Sequence, residues 1–224
     1  MKKKILHITF EAFTSTFKVP LINTGTMMCA PVPSYSTIVG LISCCLGRFL
    51  EKEETNIGFT YSYDGIGNDL ERTKRLMFSN GKIKSNPESG IALHQFHTNP
   101  KLEIYLDNLD LKKHFLNPIG VPTLGRSQDI AWITCVEEIE VESAEVGAIK
   151  PTLIPYPCNG IGGRIIRYCD YFENDDLGYV RTPGKMILYQ IVPETPNGIE
   201  IRRNNLYKIN DSEVIYLHQL ESTE

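Results

Sequence analysis

From residue 4 to residue 13 the chain alternates. Leu6, Ile8, Phe10 and Ala12 fall on one face and His7, Thr9 and Glu11 on the other, the period of two that marks a half-buried first strand. Between Pro31 and Leu50 the period changes. Ile38, Leu41, Ile42, Cys45, Leu46, Phe49 and Leu50 recur at the i, i+3, i+4, i+7 spacing of one buried helix face. Pro31 and Pro33 have φ locked and keep the residues before them out of the α region, so the helix starts from Ser34 or Ser36, both good N-caps. Gly40 removes a side chain where the backbone can lie close to a sheet. Alternation returns over Asn56 to Asp64 (Ile57, Phe59, Tyr61, Tyr63), Lys101 to Asp107 (Leu102, Ile104, Leu106) and Trp132 to Val141 (Ile133, Cys135, Ile139, Val141). Leu109 to Leu116 reads as a short helix ended by Pro118. The order is βαββαβ, which predicts an α+β chain with a ferredoxin-like (RRM-like) N-terminal domain over residues 1–145.

Two stretches interrupt that order. Residues 14–30 are polar and irregular, with Pro20, Gly25 and Phe17-Lys18, and a connection this long is either functional or an idle surface insertion. Residues 65–100 read as an extended insertion between sheet strands. Asn80-Gly81, between Leu76-Met77-Phe78 and Ile83, predicts a hairpin turn inside it, ahead of the polar run Ser85 to Gly90. Past Gly147 the texture is β-rich and punctuated by proline, predicting a smaller C-terminal unit over 146–224 with a type I′ hairpin at Asn197-Gly198.

Composition changes this picture little. At 224 residues, 42% hydrophobic and 22% charged, the chain can bury a core without metal or disulfide help. No apolar run reaches the length of a bilayer span, and Lys2 to Lys4 lead into a segment broken by His7, Thr9 and Glu11. The expectation is a cytoplasmic protein without a signal peptide or membrane partner. The six cysteines form no CxxC pair, so reduced, buried thiols are expected, with no metal and no cofactor. The net charge of −4 argues against nonspecific coating of nucleic acid, but charge is segregated. Arg72, Lys74, Arg75, Lys82 and Lys84 outnumber acids over 69–84, whereas five glutamates crowd 137–145.

Several residues carry candidate chemistry. Thr123-Leu124-Gly125-Arg126-Ser127-Gln128-Asp129 lies just before a strand: Gly125 lets the backbone approach a ligand, Arg126 offers a five-donor fork suited to phosphate and Ser127 adds a hydroxyl. The alternative is that Arg126 pairs with Asp129 or another acid to pin a turn. The Gly-rich run Asn159 to Gly163, followed by Arg164 and Arg167, is either a plain turn or a phosphate cradle, and it has neither GxGxxG nor Walker spacing. Tyr61, Tyr63, Tyr105 and Trp132 lie on strands as packing residues or as platforms for bases. His94 and His97 are three apart, with no third metal ligand near them in sequence.

In combination, Pro33 to Leu41 with Ser36, Thr37 and Gly40, followed about 85 residues later by Gly125-Arg126-Ser127 and Asp129, resembles the Cas-five family of CRISPR-associated RAMP proteins. In that family a proline-rich turn, Ser-Thr and Gly-Leu open the first helix, and a Leu-Gly-Arg-Ser segment leads into a later strand. The resemblance covers residues 4 to about 142 in the family's order, including Ser15-x-Phe17-Lys18, while the C-terminal part matches only as a generic β-rich unit. The family commonly has arginine where this chain has Lys18, which keeps the charge and loses the bidentate geometry.

What the resemblance implies is a non-catalytic RNA-binding subunit of a type I CRISPR surveillance (Cascade) complex. Such a subunit holds the 5′ handle of the guide RNA and caps the backbone, with residues 65–100 as a thumb that grips RNA and meets neighbouring backbone and large subunits. The residues implied at the RNA are Lys18, Ser36, Thr37, Gly125, Arg126 and Ser127, joined by Arg72, Lys74 and Arg75 of the insertion and by Arg164 and Arg167. The alternative is a metal-independent endoribonuclease that processes CRISPR precursor RNA, as one branch of the family does with tyrosine, histidine and lysine. Here His94 and His97 with Tyr105 and Lys101 are the set that imitates it.

Overall fold

The computed structural model describes residues 2–20, 26–85, 90–174 and 180–220, with Thr73 described by its backbone alone. Gly25 and positions 86–89 of the polar run lie outside the described residues. The architecture is α+β, mostly sheet with few helices. Strands β1 (Lys2–Ala12), β2 (Thr14–Ser15) and β3 (Thr26–Met27) precede helix α1 (Tyr35–Leu46). Next come β4 (Ile57–Ser62), β5 (Gly65–Thr73), β6 (Leu76–Ser79), β7 (Lys82–Ser85), β8 (Gly90–Thr98) and β9 (Lys101–Leu106). A 3₁₀ turn at Leu109–Leu111 runs into α2 (Lys112–Leu116), which is followed by β10 (Ala131–Ile149). The C-terminal strands are β11 (Leu153–Pro155), β12 (Ile165–Cys169), β13 (Phe172–Asn174), β14 (Arg181–Pro183), β15 (Met186–Ile191), β16 (Ile199–Lys208) and β17 (Glu213–Tyr216).

The central sheet runs β16-β17-β10-β1-β9-β4, and β1, β9, β4 and β10 are antiparallel at each shared edge. Its alternation sets what each face meets. Leu6, Ile8, Phe10 and Ala12 are buried in one cluster with Ile38, Leu41, Ile42, Cys45 and Leu46 of α1. Truncating one of these leucines costs about 2–5 kcal/mol. Helix α1 begins at Ser34, whose Oγ accepts from the Thr37 amide at 3.2 Å, and ends at Gly47 in the left-handed region with φ 69°. Phe49 therefore lies beyond the helix and is exposed, contrary to its expected place on the buried face. Gly40 also differs from expectation: it faces solvent, with nothing within 4 Å of where a Cβ would sit, so no sheet approaches it.

Strand β10 joins the two ends of the chain. Its first part pairs with β1, while residues from Glu142 onward pair with β16 and Ala148 and Ile149 with β17, so a boundary at 145/146 falls inside a continuous strand. The small sheet β11-β15-β12 contributes Leu153, Tyr168, Tyr189 and Ile191 to the same cluster as α1. Asn197-Gly198 does not close a hairpin. The flanking strands β15 and β16 lie in different sheets, and the turn is a Gly198 N–H to Thr195 carbonyl bond of 3.2 Å in which only the glycine has positive φ. Asn80-Gly81, with φ of 52° and 71°, does close one, joining β6 to β7.

Between β4 and β9 the chain leaves the central sheet as a ribbon. Strands β5 and β8 pair over nine residues, β2 and β3 add to the far edge of β8, and β6 and β7 form the tip. Arg72, Lys74, Arg75, Lys82 and Lys84 are exposed on it. The ribbon is also apolar in a way the charge count hid: Leu70, Leu76, Phe78, Ile83 and Ile91 are 66–76% exposed.

Candidate nucleic-acid interface

The loop 123–130 is held against β2 and the residue after it by the backbone. The Thr16 amide donates to the Leu124 carbonyl at 2.9 Å, the Leu124 amide to the Asp129 carbonyl at 2.8 Å, and the Thr14 hydroxyl to Asp129 Oδ1 at 2.7 Å. Gly125 has φ 121°, and a Cβ there would stand 2.0 Å from the Thr16 carbonyl oxygen, so only glycine lets these segments touch. Two stretches far apart in sequence, Ser15 to Lys18 and Leu124 to Ser127, thereby become neighbours.

Arg126 pairs with Asp129. Its backbone N–H, Nε and Nη2 donate to the carboxylate at 3.0, 3.3 and 3.4 Å, and Asp129 is buried. The turn-pinning role is thus present in the geometry. The guanidinium is not used up by it, because Nη1 is buried without a partner. Ser127 and Lys18 are exposed on the two segments that meet here, each two residues from the contact of Thr16 with Gly125. Phe17 is not at the surface: it packs edge-on against Tyr61 and His97.

The remaining sequence-derived residues fall in three other places. Ser36 and Thr37 present half-buried hydroxyls that each lie 2.9 Å from Ser34 Oγ, so they belong to the cap of α1. Ser36 also lines a cavity of about 510 Å³ with Gly40, Cys44, Arg48 and Tyr171. Arg72, Lys74 and Arg75 lie on β5 and the bend after it. Arg164 and Arg167 are exposed, and Arg164 shares a cavity of about 360 Å³ with Pro31, Val32, Tyr61 and Tyr63, which joins the glycine-rich run to the proline turn before α1. In the described residues no hydrogen bond or ion pair connects these three groups with Arg126.

The tyrosine, histidine and lysine set is not assembled. His97 is fully buried, with Nδ1 2.8 Å from the Tyr61 hydroxyl and its ring stacked on Tyr63 at 3.7 Å. Burial pushes its pKa down to about 4, which keeps it neutral near pH 7. His94 pairs with Glu71 at 3.3 Å. Lys101 and Tyr105 alternate with Leu102 and Ile104, and so occupy the face of the sheet away from α1, whereas Tyr61 lies in the α1 core. Of the aromatic residues weighed as platforms, Tyr61 and Tyr105 are core, and Trp132 is partly exposed against Phe13, a 75% exposed ring the sequence reading passed over.

Sequence reasoning also missed a buried network of Tyr189, Asp170 and His218. His218 Nε2 lies 2.6 Å from Asp170 Oδ2 and 3.1 Å from the Tyr189 hydroxyl, which donates to Asp170. His218 exchanges backbone bonds of 2.8 and 2.9 Å with Ile57, so the network fastens the C-terminal segment to β4. No local spacing signals it, since the three residues meet only in the fold.

No protein-family model and no curated protein matches the chain. Solved structures of similar shape do exist. One, described as a CRISPR RNA-guided surveillance complex, is 11% identical, with 84% of this chain and 90% of that chain covered at a TM-score of 0.48. A CRISPR protein from Archaeoglobus fulgidus is 11% identical, with 96% and 100% covered at 0.48. A chain of the Type III-B Cmr-beta complex bound to cognate target RNA and AMPPnP is 12% identical, with 89% and 86% covered at 0.49.

Proposed function

We propose that this chain is a non-catalytic RNA-binding subunit of a CRISPR surveillance complex of the Cascade kind, holding the 5′ handle of the guide RNA and meeting neighbouring subunits through its ribbon. In this reading β10-β1-β9-β4 is a ferredoxin-like unit, with α1 and α2 as its crossovers and β5–β8 as the thumb. The observation that carries the proposal is the junction at Gly125. Thr16 of the Ser15-x-Phe17-Lys18 segment and Leu124 and Gly125 beside Arg126-Ser127, two segments that the resemblance to the Cas-five family includes, come into backbone contact there. Lys18 and Ser127 are exposed on them, and Arg126 keeps an unpartnered, buried Nη1. An exposed ammonium and an exposed hydroxyl suit a phosphate of single-stranded RNA, and a turn of the Arg126 side chain would bring its unpartnered Nη1 out to the same anion. The test is co-expression with the chain's genomic neighbours. A purified complex with a nucleic-acid absorbance peak and one RNA of uniform length supports the proposal, and a complex that assembles free of RNA overturns it.

A further inference from the structure

The face of the central sheet away from α1 carries a group that the RNA reading does not use. His7 of β1 stands directly opposite Glu137 on β10 and Tyr105 on β9, while the next residue on that face, Thr9, is flanked by Cys135 and Glu103. Because side chains repeat with period two, His7, Glu137, Cys135 and Glu103 share one face. The His7 ring stacks on Tyr105 with centroids 4.8 Å apart and planes within 9°, which fixes the plane in which both ring nitrogens lie. Nδ1 is 3.0 Å from Glu137 Oε1 and Nε2 is 3.7 Å from Glu103 Oε1. One donor atom each from His7, Cys135 and Glu137 lies within 4.8 Å of the other two. Glu103 is itself anchored by the Thr60 hydroxyl at 3.0 Å and Lys101 Nζ at 2.9 Å, and His7 Nε2 is buried with no partner within hydrogen-bond reach.

We propose that His7, Cys135 and Glu137 form a binding site for a zinc-like divalent cation, with Glu103 as the positioning residue that orients the His7 ring. The donor set decides the class of ion. Thiolate, imidazole and carboxylate together suit borderline-soft Zn²⁺, whereas Mg²⁺ and Ca²⁺ take oxygen donors. Bonds of about 2.0–2.3 Å at tetrahedral angles set donor atoms about 3.3–3.7 Å apart, so the His7–Glu137 pair at 3.0 Å opens slightly and the thiolate settles to the same spacing, both by rotations of the half-exposed Glu137 and the partly exposed Cys135. The thiol proton of Cys135 leaves to solvent as the sulfur–metal bond forms. Glu103 stands on the Nε2 side of His7 while Glu137 is on the Nδ1 side, so ligation through Nδ1 leaves Nε2–H to donate to a carboxylate, the outer-shell arrangement that fixes metal-bound histidines. Three protein ligands leave a fourth position for water or an exchangeable donor. The sequence expectation of no metal rested on missing CxxC spacing, which cannot register ligands that come from two paired strands.

The test uses the purified full chain stripped with EDTA. Co²⁺ titration reads sulfur ligation as thiolate-to-metal charge-transfer absorption in the near ultraviolet, and Zn²⁺ affinity is read by competition with a chromophoric chelator. One ion per chain with the charge-transfer band is expected. Cys135→Ser should abolish the band and weaken Zn²⁺ about tenfold or more, and Glu103→Gln should weaken Zn²⁺ about 10–100-fold while the band remains. Cys44→Ser, at the other partly exposed cysteine, should change neither. Absence of the band in the native chain, or a band that survives Cys135→Ser in a folded variant, overturns the proposal.

Discussion

Arg126→Ala separates the two roles that the geometry gives one side chain. Removing the guanidinium leaves Asp129 buried with the Thr14 hydroxyl at 2.7 Å and the residue-126 amide at 3.0 Å still donating, so the carboxylate keeps two of its bonds. The bonds removed are the longer ones, at 3.3 and 3.4 Å, and the charge partner goes with them. Truncating one partner of a buried pair costs about 3–5 kcal/mol. Because two bonds are retained, a value at or just below that range, about 2–3 kcal/mol, is expected from urea denaturation. If Nη1 also meets a phosphate, affinity for repeat RNA falls by about 1–3 kcal/mol, roughly 5–150-fold, measured by fluorescence anisotropy at fixed salt. The double variant Arg126→Ala/Asp129→Asn should regain part of the stability, because no buried charge is left unpaired, and none of the RNA affinity. Full recovery of both, or a stable Arg126→Ala with native affinity, would sink this account and reduce Gly-Arg-Ser to a structural turn.

Replacing Arg72, Lys74 and Arg75 together by Ala should weaken RNA binding and lower the magnitude of the salt slope by about 0.7 for each single-strand phosphate no longer neutralised; an unchanged slope removes the ribbon from the interface. His97 makes stability depend on pH. Its folded pKa of about 4 lies below the unfolded value of about 6.5, so its contribution is complete above pH 6.5 and is lost as pH falls towards 4, roughly 3 kcal/mol in all. Urea midpoints at pH 7 and 4.5 should differ less in His97→Phe than in the native chain, and an equal difference would exclude His97 as the source. Labelled repeat RNA incubated with the protein in EDTA should stay intact. A single-site cut leaving a 2′,3′-cyclic phosphate that disappears in His97→Ala would replace the scaffold reading with the nuclease one.

The legible parts of the sequence were those governed by local periodicity and turn chemistry. Alternation located β1, β4, β9 and the start of β10, and the prolines with Ser34 located α1, because these signals depend on neighbours within a few residues. Asn80-Gly81 was readable because two strands of matching register flank it directly. Asn197-Gly198 misled because the flanking strands join different sheets, and a turn dipeptide says nothing about which partner a strand will take. Phe49 was misplaced because helical periodicity continues in sequence past the Gly47 cap that ends the helix in space. At the candidate interface, residue types were readable and their company was not. The Arg126–Asp129 pair spans three residues and was anticipated as one of two alternatives, whereas the contact of Gly125 with Thr16 depends on chain packing across more than a hundred positions. His7 with Cys135 and Glu137 escaped notice for the same reason, although period two already put them on one kind of face.

The 19-residue β10 has a mechanical consequence. At about 3.3 Å per residue it is a continuous rod of roughly 60 Å, bonded near one end to the first strand of the chain and near the other to β16 and β17. Neither half can melt without stripping one edge of this strand, so heat or denaturant should meet one cooperative transition instead of two. A chain cut after residue 145 would keep the pairing of β1 with Ala131–Glu142 but end part-way along the rod, with Glu142 to Ala144 stripped of their β16 partners and open to pairing with other molecules. The shared strand also gives a load applied at the N-terminal strand a hydrogen-bonded route to the C-terminal hairpin, with no flexible linker between them to absorb it.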